Sequence, residues 1–267
     1  MTTVADVCRY LELFAPTALA EDWDNVGLLL GDRQNSVTKI MTCLTMTVDV
    51  ANEAIAEGAD VVVTHHPIPF KSVKRITTDS PTGALLWKLA SNGIAVYSPH
   101  TAFDSARDGI NQQLADGLGL TNVKPLIPLE QTDNASLEGL GTGRRGDCPP
   151  LTLGTLASSV ESFLHVDGLH LVGDAEMEIT RVGIGCGSAG EFIRPAIRAG
   201  CQALLTGEAR FHTCLEAKAL GIAMILPGHY ASERFALETL AAQLADEFKD
   251  ASVWASHQES DPLKWIR

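Results

Sequence analysis

The chain has 267 residues, of which 45% are hydrophobic and 20% charged, and its formal net charge is −13. This composition is typical of a folded globular protein, and the negative charge argues against nonspecific binding to nucleic acids or anionic membranes. No apolar run approaches the roughly 20 residues that a membrane-spanning helix needs, and the first 16 residues do not resemble a signal peptide. The six cysteines are scattered without a Cys-x-x-Cys pair, so we expect a reduced, cytoplasmic protein.

The first half of the chain alternates helical apolar spacing with short apolar runs. In chain order the patterns predict a helix at 4–15, strands at 26–31 and 39–44, a helix at 50–58, a strand at 60–64, a helix at 82–93, a strand at 94–98 and a helix at 109–119. Gly58 is placed to end the second of these helices, because glycine readily adopts the left-handed conformation found just past a helix.

The second half repeats this order of elements. The patterns predict a helix at 156–165, strands at 169–173 and 180–186, a helix at 191–200, a strand at 203–207, a helix at 213–221, a strand at 223–227 and a helix at 232–248. Strands that alternate with helices of this length indicate an α/β fold with mostly parallel sheets covered by helices.

The two halves also match each other in sequence at a constant offset of 142 residues. Gly31-Asp32 matches Gly173-Asp174, Thr64 matches Thr206, and after one length change "NGIAVYSPHTAFD" (92–104) aligns with "LGIAMILPGHYASE" (220–233). We therefore predict a duplicated chain, with a first α/β repeat at 1–125 and a second at 126–267. The Pro- and Gly-rich stretch 124–150 is the predicted connector, and "GLGTGRR" within it is interpreted as a turn.

Polar residues with metal-binding or acid–base chemistry follow four of the predicted strands. In open α/β sheets ligands bind beyond the carboxyl ends of the strands. The four strand ends carry His65 with His66, His100 with Asp104, Glu208 with His212, and His229 with Glu233. In two of these pairs the histidine precedes the carboxylate by four residues, so both side chains can share one helix face.

Imidazoles and carboxylates together form a ligand set that suits zinc, iron, manganese or nickel. A carboxylate can also bridge two ions about 3.5–4 Å apart. The alternative is that the histidines are only hydrogen-bonded within the fold, but the recurrence at matched strand ends favours a metal. His212 is a candidate for orienting a ligand or carrying a proton. Lys71, Lys74 and Arg75 form either a solvated face or a surface that steers a phosphate-bearing substrate.

Five segments together resemble the Nif-three-like family, also known as the GTP cyclohydrolase 1 type 2-like dinuclear-metal proteins. They are "EDWDNVGLLLGD" (21–32), "VVVTHHPIPF" (61–70), "SPHTAFD" (98–104), "TGEARFH" (206–212) and "GHYASE" (228–233). For "EDWDNVG" we favour a structural turn, in which Asp24 or Asn25 hydrogen-bonds the backbone. Glu208 departs from the aspartate that the family often has at this position.

The resemblance implies two intertwined α/β lobes with mostly parallel mixed sheets and a metal site between the lobes. It also implies two divalent ions per chain, with zinc, iron and manganese as candidates, and a toroidal homohexamer. By motif, the family's ligands correspond to His65, His66, Asp104, His229 and Glu233. The role of His100 stays open.

The function expected from these features is that of a metal-dependent hydrolase acting on a nucleotide-like small molecule. Glu208 and His212 are the candidates for proton transfer. An alternative is a non-catalytic metal-binding regulator or metallochaperone that acts through protein interactions. A third is a structural oligomer with inert histidines. Neither a membrane nor nucleic acid is expected as a partner.

Overall fold

The structure, a computed structural model, describes residues 1–129 and 137–264 in two compact units. The first unit is Met1–Phe103 with Ala236–Ser260, and the second is Asp104–Phe235 with the chain from Asp261 onward. These units are defined by the contacts within each of them. The predicted boundary after residue 125 separates the two sequence repeats instead, and it stays a prediction. Residues 130–136 of the predicted connector lie outside the described residues.

The first unit is built on a five-stranded sheet. Its elements are α1 (Val4–Phe14), β1 (Gly27–Leu30), β2 (Lys39–Cys43), α2 (Val48–Glu57), β3 (Val61–Thr64), α3 (Pro81–Ser91), β4 (Ala95–Ser98) and β13 (Ser252–Ala255). The strand order is β1-β4-β3-β2-β13, with β1 antiparallel and all the other neighbours parallel. Both β3 and β4 are buried along their whole length, which fits their mainly apolar sequences, VVVT and AVYS.

The second unit is built on a six-stranded sheet. Its elements are α5 (Ile110–Gly117), β5 (Thr121–Lys124), β6 (Ile127–Pro128), β7 (Gly141–Thr142), β8 (Arg144–Thr152), α6 (Leu153–Leu164), β9 (His170–Val172), β10 (Glu178–Gly185), α7 (Ile193–Arg198), β11 (Ala203–Thr206), α8 (Phe211–Leu220) and β12 (Ala223–Leu226). The order is β5-β8-β10-β11-β12-β9, with β10, β11 and β12 parallel and the remaining pairs antiparallel. Helices α4 (His100–Ser105) and α9 (His229–Glu247) each contain the boundary between the units. The predicted α/β class with parallel-rich sheets is confirmed.

The two sheets share one strand order, β1-β4-β3-β2 in the first and β9-β12-β11-β10 in the second. The matched glycines explain part of the sequence repeat. Gly31 and Gly173 have φ of 118° and 119°, and a Cβ on them would lie 2.6 Å from the Cβ of Ala95 and 3.1 Å from that of Ala223. Only glycine fits this conformation and this approach to the neighbouring strand.

A second matched feature is a side chain that accepts backbone hydrogen bonds at the start of β2 in the first unit and near the start of β10 in the second. In the first unit Asp60 accepts hydrogen bonds from the backbone N–H groups of Thr38 and Lys39, at 2.7 and 2.9 Å. In the second unit Gln202 does the same for residues 180 and 181, at 3.1 and 2.8 Å. These positions keep the 142-residue offset, so the shared contacts favour the predicted duplication.

Helix starts follow their local sequences. Side-chain oxygens of Thr3, Thr47, Ser80 and Thr152 accept backbone hydrogen bonds from the first turns of α1, α2, α3 and α6. Gly58 ends α2 with φ of 68°, as its position in the sequence predicts. Among the helices of the described residues, none combines the length and the apolar character that crossing a membrane requires.

The predicted connector contains strands that the sequence patterns did not indicate. The strand β8 runs through Pro149 and Pro150, which are rare inside a sheet. They are tolerated because the pairing with β10 skips register between Ile179 and Arg181, so the prolines fall in an irregular segment. In "GLGTGRR" the interpretation as a turn is right at Gly143, with φ of 63°, but wrong for Arg144, which begins β8.

The carboxylate of Glu53 on α2 fixes the chain that follows β13. Its two oxygens accept hydrogen bonds from Trp254 Nε1, Ser256 Oγ, His257 N and Gln258 N, at 3.3, 2.5, 2.9 and 3.1 Å. Burial opposes ionisation, but the hydrogen bonds from these partners hold the pKa of Glu53 below its ordinary value of 4.5.

We expect Glu53→Gln to lower the free energy of unfolding by about 1–3 kcal/mol at pH 7, because an amide nitrogen then faces two groups that donate to a carboxylate oxygen. The loss should shrink as the pH falls below about 4.5, since the stabilising carboxylate becomes protonated in both states. Urea unfolding monitored by circular dichroism measures this. Glu57→Gln, the same change at an exposed site of α2, should alter stability by less than about 0.5 kcal/mol. Equal effects from the two changes would contradict a structural role for Glu53.

Candidate metal centre

His65 and His66 directly follow β3, and their backbone N–H groups still pair with the neighbouring strand β2 and the residue after it. His65 N donates to Cys43 O at 2.9 Å and His66 N donates to Leu44 O at 2.8 Å, which extends the ladder with β2 past Thr64. Ser98 Oγ donates to His65 O at 2.6 Å from the other side. His65 is fully buried and His66 is half-buried. Their positions are therefore set by two neighbouring strands.

A third imidazole, His100, joins this pair in the first unit. Its ring centroid lies 5.1 Å from that of His65 and 5.6 Å from that of His66. Each of the three rings offers a nitrogen, and these nitrogens lie within 4.8 Å of one another, close enough to hold one metal ion. The role of His100 was left open by the sequence; the structure places it in the same cluster. His100 begins α4 with φ of 26°, a value that is rare outside glycine.

His100 is oriented by Asp24, a residue that the sequence assigned to a turn. Asp24 Oδ1 lies 2.7 Å from His100 Nδ1, and Oδ2 accepts from Thr101 N at 3.1 Å and Thr101 Oγ1 at 2.5 Å. Burial opposes ionisation, but the hydrogen bonds from His100 and Thr101 lower the pKa of Asp24 to about 2. The predicted backbone contact exists too, because Asn25 N donates to Asp24 Oδ1 at 2.7 Å.

The second imidazole–carboxylate group lies at the start of α9 in the second unit. His229 Nε2 lies 3.1 Å from Glu233 Oε2, so the predicted pairing of residues four apart on one helix face is present. His229 Nδ1 lies 3.0 Å from Glu208 Oε1. The contact with Glu233 raises the pKa of His229 to about 9, against the opposing effect of burial and with help from Glu208. The same two negative charges favour any cation bound here.

Gly187 forms the wall against which this group lies. Its φ is 61°, its N–H donates to Ser232 Oγ at 2.9 Å, and a Cβ on it would fall 2.3 Å from Glu233 Oε1 and 3.3 Å from His229 Nε2. A side chain at this position would therefore displace the carboxylate. Glycine is required here for both its conformation and its lack of bulk.

We expect Gly187→Ala to weaken metal binding strongly, because Glu233 must move to make room. The matched control is Gly221→Ala, since Gly221 has φ of 74° but open space where the Cβ would be. Both changes carry the left-handed strain of about 1–2 kcal/mol, so their difference isolates the steric effect. Metal affinity and urea unfolding should be measured on both variants. Equal metal affinities would show that Gly187 does not position the carboxylate.

Asp104 is held by two residues with no recognisable sequence signal. Cys186 Sγ lies 3.1 Å from Asp104 Oδ1, and Asn111 Nδ2 donates to Asp104 O at 3.0 Å. Asn111 Oδ1 accepts from Cys186 N at 2.8 Å and so connects the two residues. Burial, together with the charges of Asp104 and Glu233, raises the pKa of the Cys186 thiol well above its ordinary value. The protonated thiol is therefore a donor to one carboxylate oxygen of Asp104.

The two residues suggested for proton transfer have different surroundings. Glu208 is more than half exposed and contacts His229 Nδ1, an arrangement in which a carboxylate fixes the orientation of an imidazole. His212 is exposed in the first turn of α8, and its ring contacts Phe211 at 5.7 Å. Within the described residues, His212 makes no side-chain hydrogen bond.

The side chains brought together in each unit fit a divalent metal. Nitrogen and oxygen donors are the ligands of zinc, iron and manganese, and ligating histidines commonly contact a carboxylate through their other nitrogen. Asp24 is placed in this way for His100, and Glu208 for His229. The buried histidine and carboxylate groups can therefore hold a metal ion.

Comparisons with known proteins agree with this fold. A family model described as Duf34/NIF3 (NGG1p interacting factor 3) matches residues 2–262. The chain is 34% identical over 267 residues to a "GTP cyclohydrolase 1 type 2 homolog" of Clostridium acetobutylicum, covering 98% of each chain. It is 37% identical over 261 residues to "Protein NIF3 homolog" of Schizosaccharomyces pombe, covering 92% of this chain and 91% of the relative.

Solved structures show the same architecture. A crystal structure of a Bacillus cereus protein related to NIF3 superposes with a TM-score of 0.90 over 99% of both chains. Its sequence identity of 23% means that this likeness concerns the fold alone. With the family match and the relatives above 30% identity, it is consistent with the resemblance seen in the five motif segments. The chain belongs to the Duf34/NIF3 family.

Proposed function

We propose that the chain binds two divalent metal ions through His65, His66, Asp104, His229 and Glu233. The observation that carries this proposal is the imidazole cluster of the first unit, in which His65 and His66 after β3 lie with His100 of α4, and the three rings offer nitrogens within 4.8 Å of one another. The contact of Glu208 with His229 supports it, because a carboxylate on the other nitrogen fixes a ligating histidine, and Asp24 fixes His100 beside His65 and His66 in the same way. Zinc, iron and manganese suit the donor set.

We further propose that the protein is a metal-dependent hydrolase acting on a nucleotide-like small molecule. Divalent ions in such a site polarise carbonyl or phosphoryl groups and activate water at neutral pH. The names of several relatives, "GTP cyclohydrolase 1 type 2 homolog", support a nucleotide as the substrate class. Glu208 is the proposed proton carrier because its exposed carboxylate contacts His229, and His212 is the second candidate.

The alternative proposal is a metal-binding regulator or metallochaperone without catalysis. The family description, which names an interacting factor, favours a role through protein contacts.

The resemblance to the family also leads us to propose a homo-oligomer, a toroidal hexamer. The six cysteines are scattered without a Cys-x-x-Cys pair, which supports a reducing compartment, the cytoplasm.

The test is metal quantification coupled to a screen of GTP and related nucleotides, with metal-stripped protein as the control. We expect about two ions per chain and product formation only in the metal-loaded sample. Substantially less than one metal per chain would remove the metal proposal. Tightly bound metal without turnover on any nucleotide would remove the hydrolase and favour the regulator. Exchangeable metal without turnover would favour the metallochaperone.

A further inference from the structure

Two large aromatic side chains are exposed next to each other in the first unit. Trp23 is 61% exposed and Phe70 is 51% exposed. Their ring centroids lie 5.9 Å apart at an interplanar angle of 40°. Apolar rings that touch each other and still face water commonly mark a binding surface.

Both rings border the histidine cluster. The ring of Trp23 lies 6.0 Å from that of His100 and the ring of Phe70 lies 5.9 Å from it, each at an interplanar angle of 77°. The ring of His100 is thus steeply inclined to both aromatic rings, and it also lies beside His65 and His66. A flat molecule stacked on either aromatic ring would therefore be separated from the imidazole cluster by that ring alone.

Phe70 also begins a strongly basic exposed segment, "FKSVKRI" (70–76). Lys71, Lys74 and Arg75 lie in a run of exposed residues from 70 to 81, and the first acidic residue after them is Asp79. Within residues 1–129 and 137–264, none of the three cations takes part in an ion pair. These three cations make the segment locally basic, although the whole chain has a net charge of −13.

The combination selects a class of ligand. Aromatic faces stack on nucleobases, and Lys and Arg bind phosphate oxygens. A molecule with a planar base at one end and several phosphates at the other satisfies both halves of the surface. A nucleic-acid strand is a poorer match, because it needs a longer basic track and would be repelled by the acidic remainder of the chain.

We infer that Trp23 and Phe70, together with Lys71, Lys74 and Arg75, form a nucleotide-binding patch beside the histidine cluster. The rings bind the base and the three cations bind the phosphates. This inference rests on the proposed function, since it names the groups that recognise the substrate of the metal site. It also explains why such large rings are exposed here.

The experiment is calorimetric titration of the metal-loaded full chain with three probes: GTP, guanosine and inorganic triphosphate. Trp23→Ala should weaken GTP and guanosine binding by about 5- to 150-fold, which is the range seen for loss of one stacked ring, and should leave triphosphate unaffected. Changing Lys71, Lys74 and Arg75 together to Gln should weaken GTP and triphosphate by about tenfold or more and spare guanosine. Trp87→Ala is the matched control, because Trp87 is 57% exposed but lies on α3.

Metal content and sedimentation should be measured on every sample. Loss of GTP affinity in Trp23→Ala but not in Trp87→Ala supports the patch. A metal-loaded wild type that does not bind GTP overturns the inference but leaves metal binding intact. GTP binding by wild-type protein that takes up substantially less than one metal per chain removes the metal proposal instead and leaves the patch. If Trp23→Ala changes the oligomeric state and not GTP affinity, the patch is a protein interface and the inference is wrong. Tighter binding of a single-stranded oligonucleotide than of GTP would also overturn it.

Discussion

Replacement of His65 by alanine is expected to lower the affinity for divalent metal by more than about 100-fold. His65 is fully buried, and its backbone is fixed by Cys43 and Ser98, so its imidazole is held in one place in the cluster. Losing a group that merely orients a ligand already costs 10- to 100-fold, so losing a ligand should cost more than about that amount. The measurement is metal content by mass spectrometry after dialysis against buffers of fixed free-metal concentration.

Glu233→Gln, a change in the second unit, should lower the affinity for divalent metal by a comparable factor. Glu233 is almost fully buried and contacts His229, and an amide lacks the charge that attracts a cation. Two controls share the chemistry of the changes but not the position: His257→Ala, and Glu247→Gln on the same helix α9. Both sites are exposed, so we expect metal content to stay at the wild-type value. Unchanged metal content in His65→Ala and Glu233→Gln would remove these side chains from the proposed ligand set.

The strands that carry the candidate site were predictable from sequence. The runs ending at Thr64 and Thr206 are short, continuously apolar and bounded by polar residues, and the structure begins and ends β3 and β11 within one residue of the prediction. Such runs indicate a strand because a strand that is buried on both faces carries mostly apolar residues and shows no polar alternation. The pairing of His229 with Glu233 was predictable because residues four positions apart lie on the same face of a helix.

The residues that hold the site in place could not be predicted in this way. Asp24 and His100 are 76 positions apart, and Cys186 and Asp104 are 82 apart. A contact between distant residues leaves no spacing pattern, and a single aspartate, asparagine or cysteine outside a motif indicates little. "EDWDNVG" therefore looked like a turn, which it is in part, while the contact with His100 came only from the fold.

The structural role of Arg144 was not predicted, because this residue lies in the stretch that was interpreted as a connector. It is almost fully buried, and its guanidinium makes five hydrogen bonds within the second unit. One goes to Gln112 Oε1, and four go to the backbone carbonyls of Ser105, Ala106, Gly141 and Gly143, at distances from 2.6 to 3.1 Å. Burial lowers the pKa of Arg144 to about 10, so the side chain is still charged at neutral pH.

We expect Arg144→Met to lower the free energy of unfolding by about 3–5 kcal/mol, because four buried carbonyls lose their donor. Arg144→Lys should recover only part of this, since an ammonium has three donors and cannot match the planar guanidinium. Arg145→Met is the matched control: Arg145 is the next residue of β8, points to the opposite face and is only half-buried. Urea unfolding of the three variants measures the differences.

The same arginine connects stability to the site. Ser105 and Ala106, whose carbonyls it binds, directly follow Asp104. Loosening them should let the backbone of Asp104 shift away from its contacts with Asn111 and Cys186. We therefore expect Arg144→Lys to lose metal affinity in addition to stability, while Arg145→Met keeps both. If Arg144→Lys lost stability but bound metal like the wild type, Arg144 would act only in folding, and Asn111 and Cys186 alone would suffice to position Asp104.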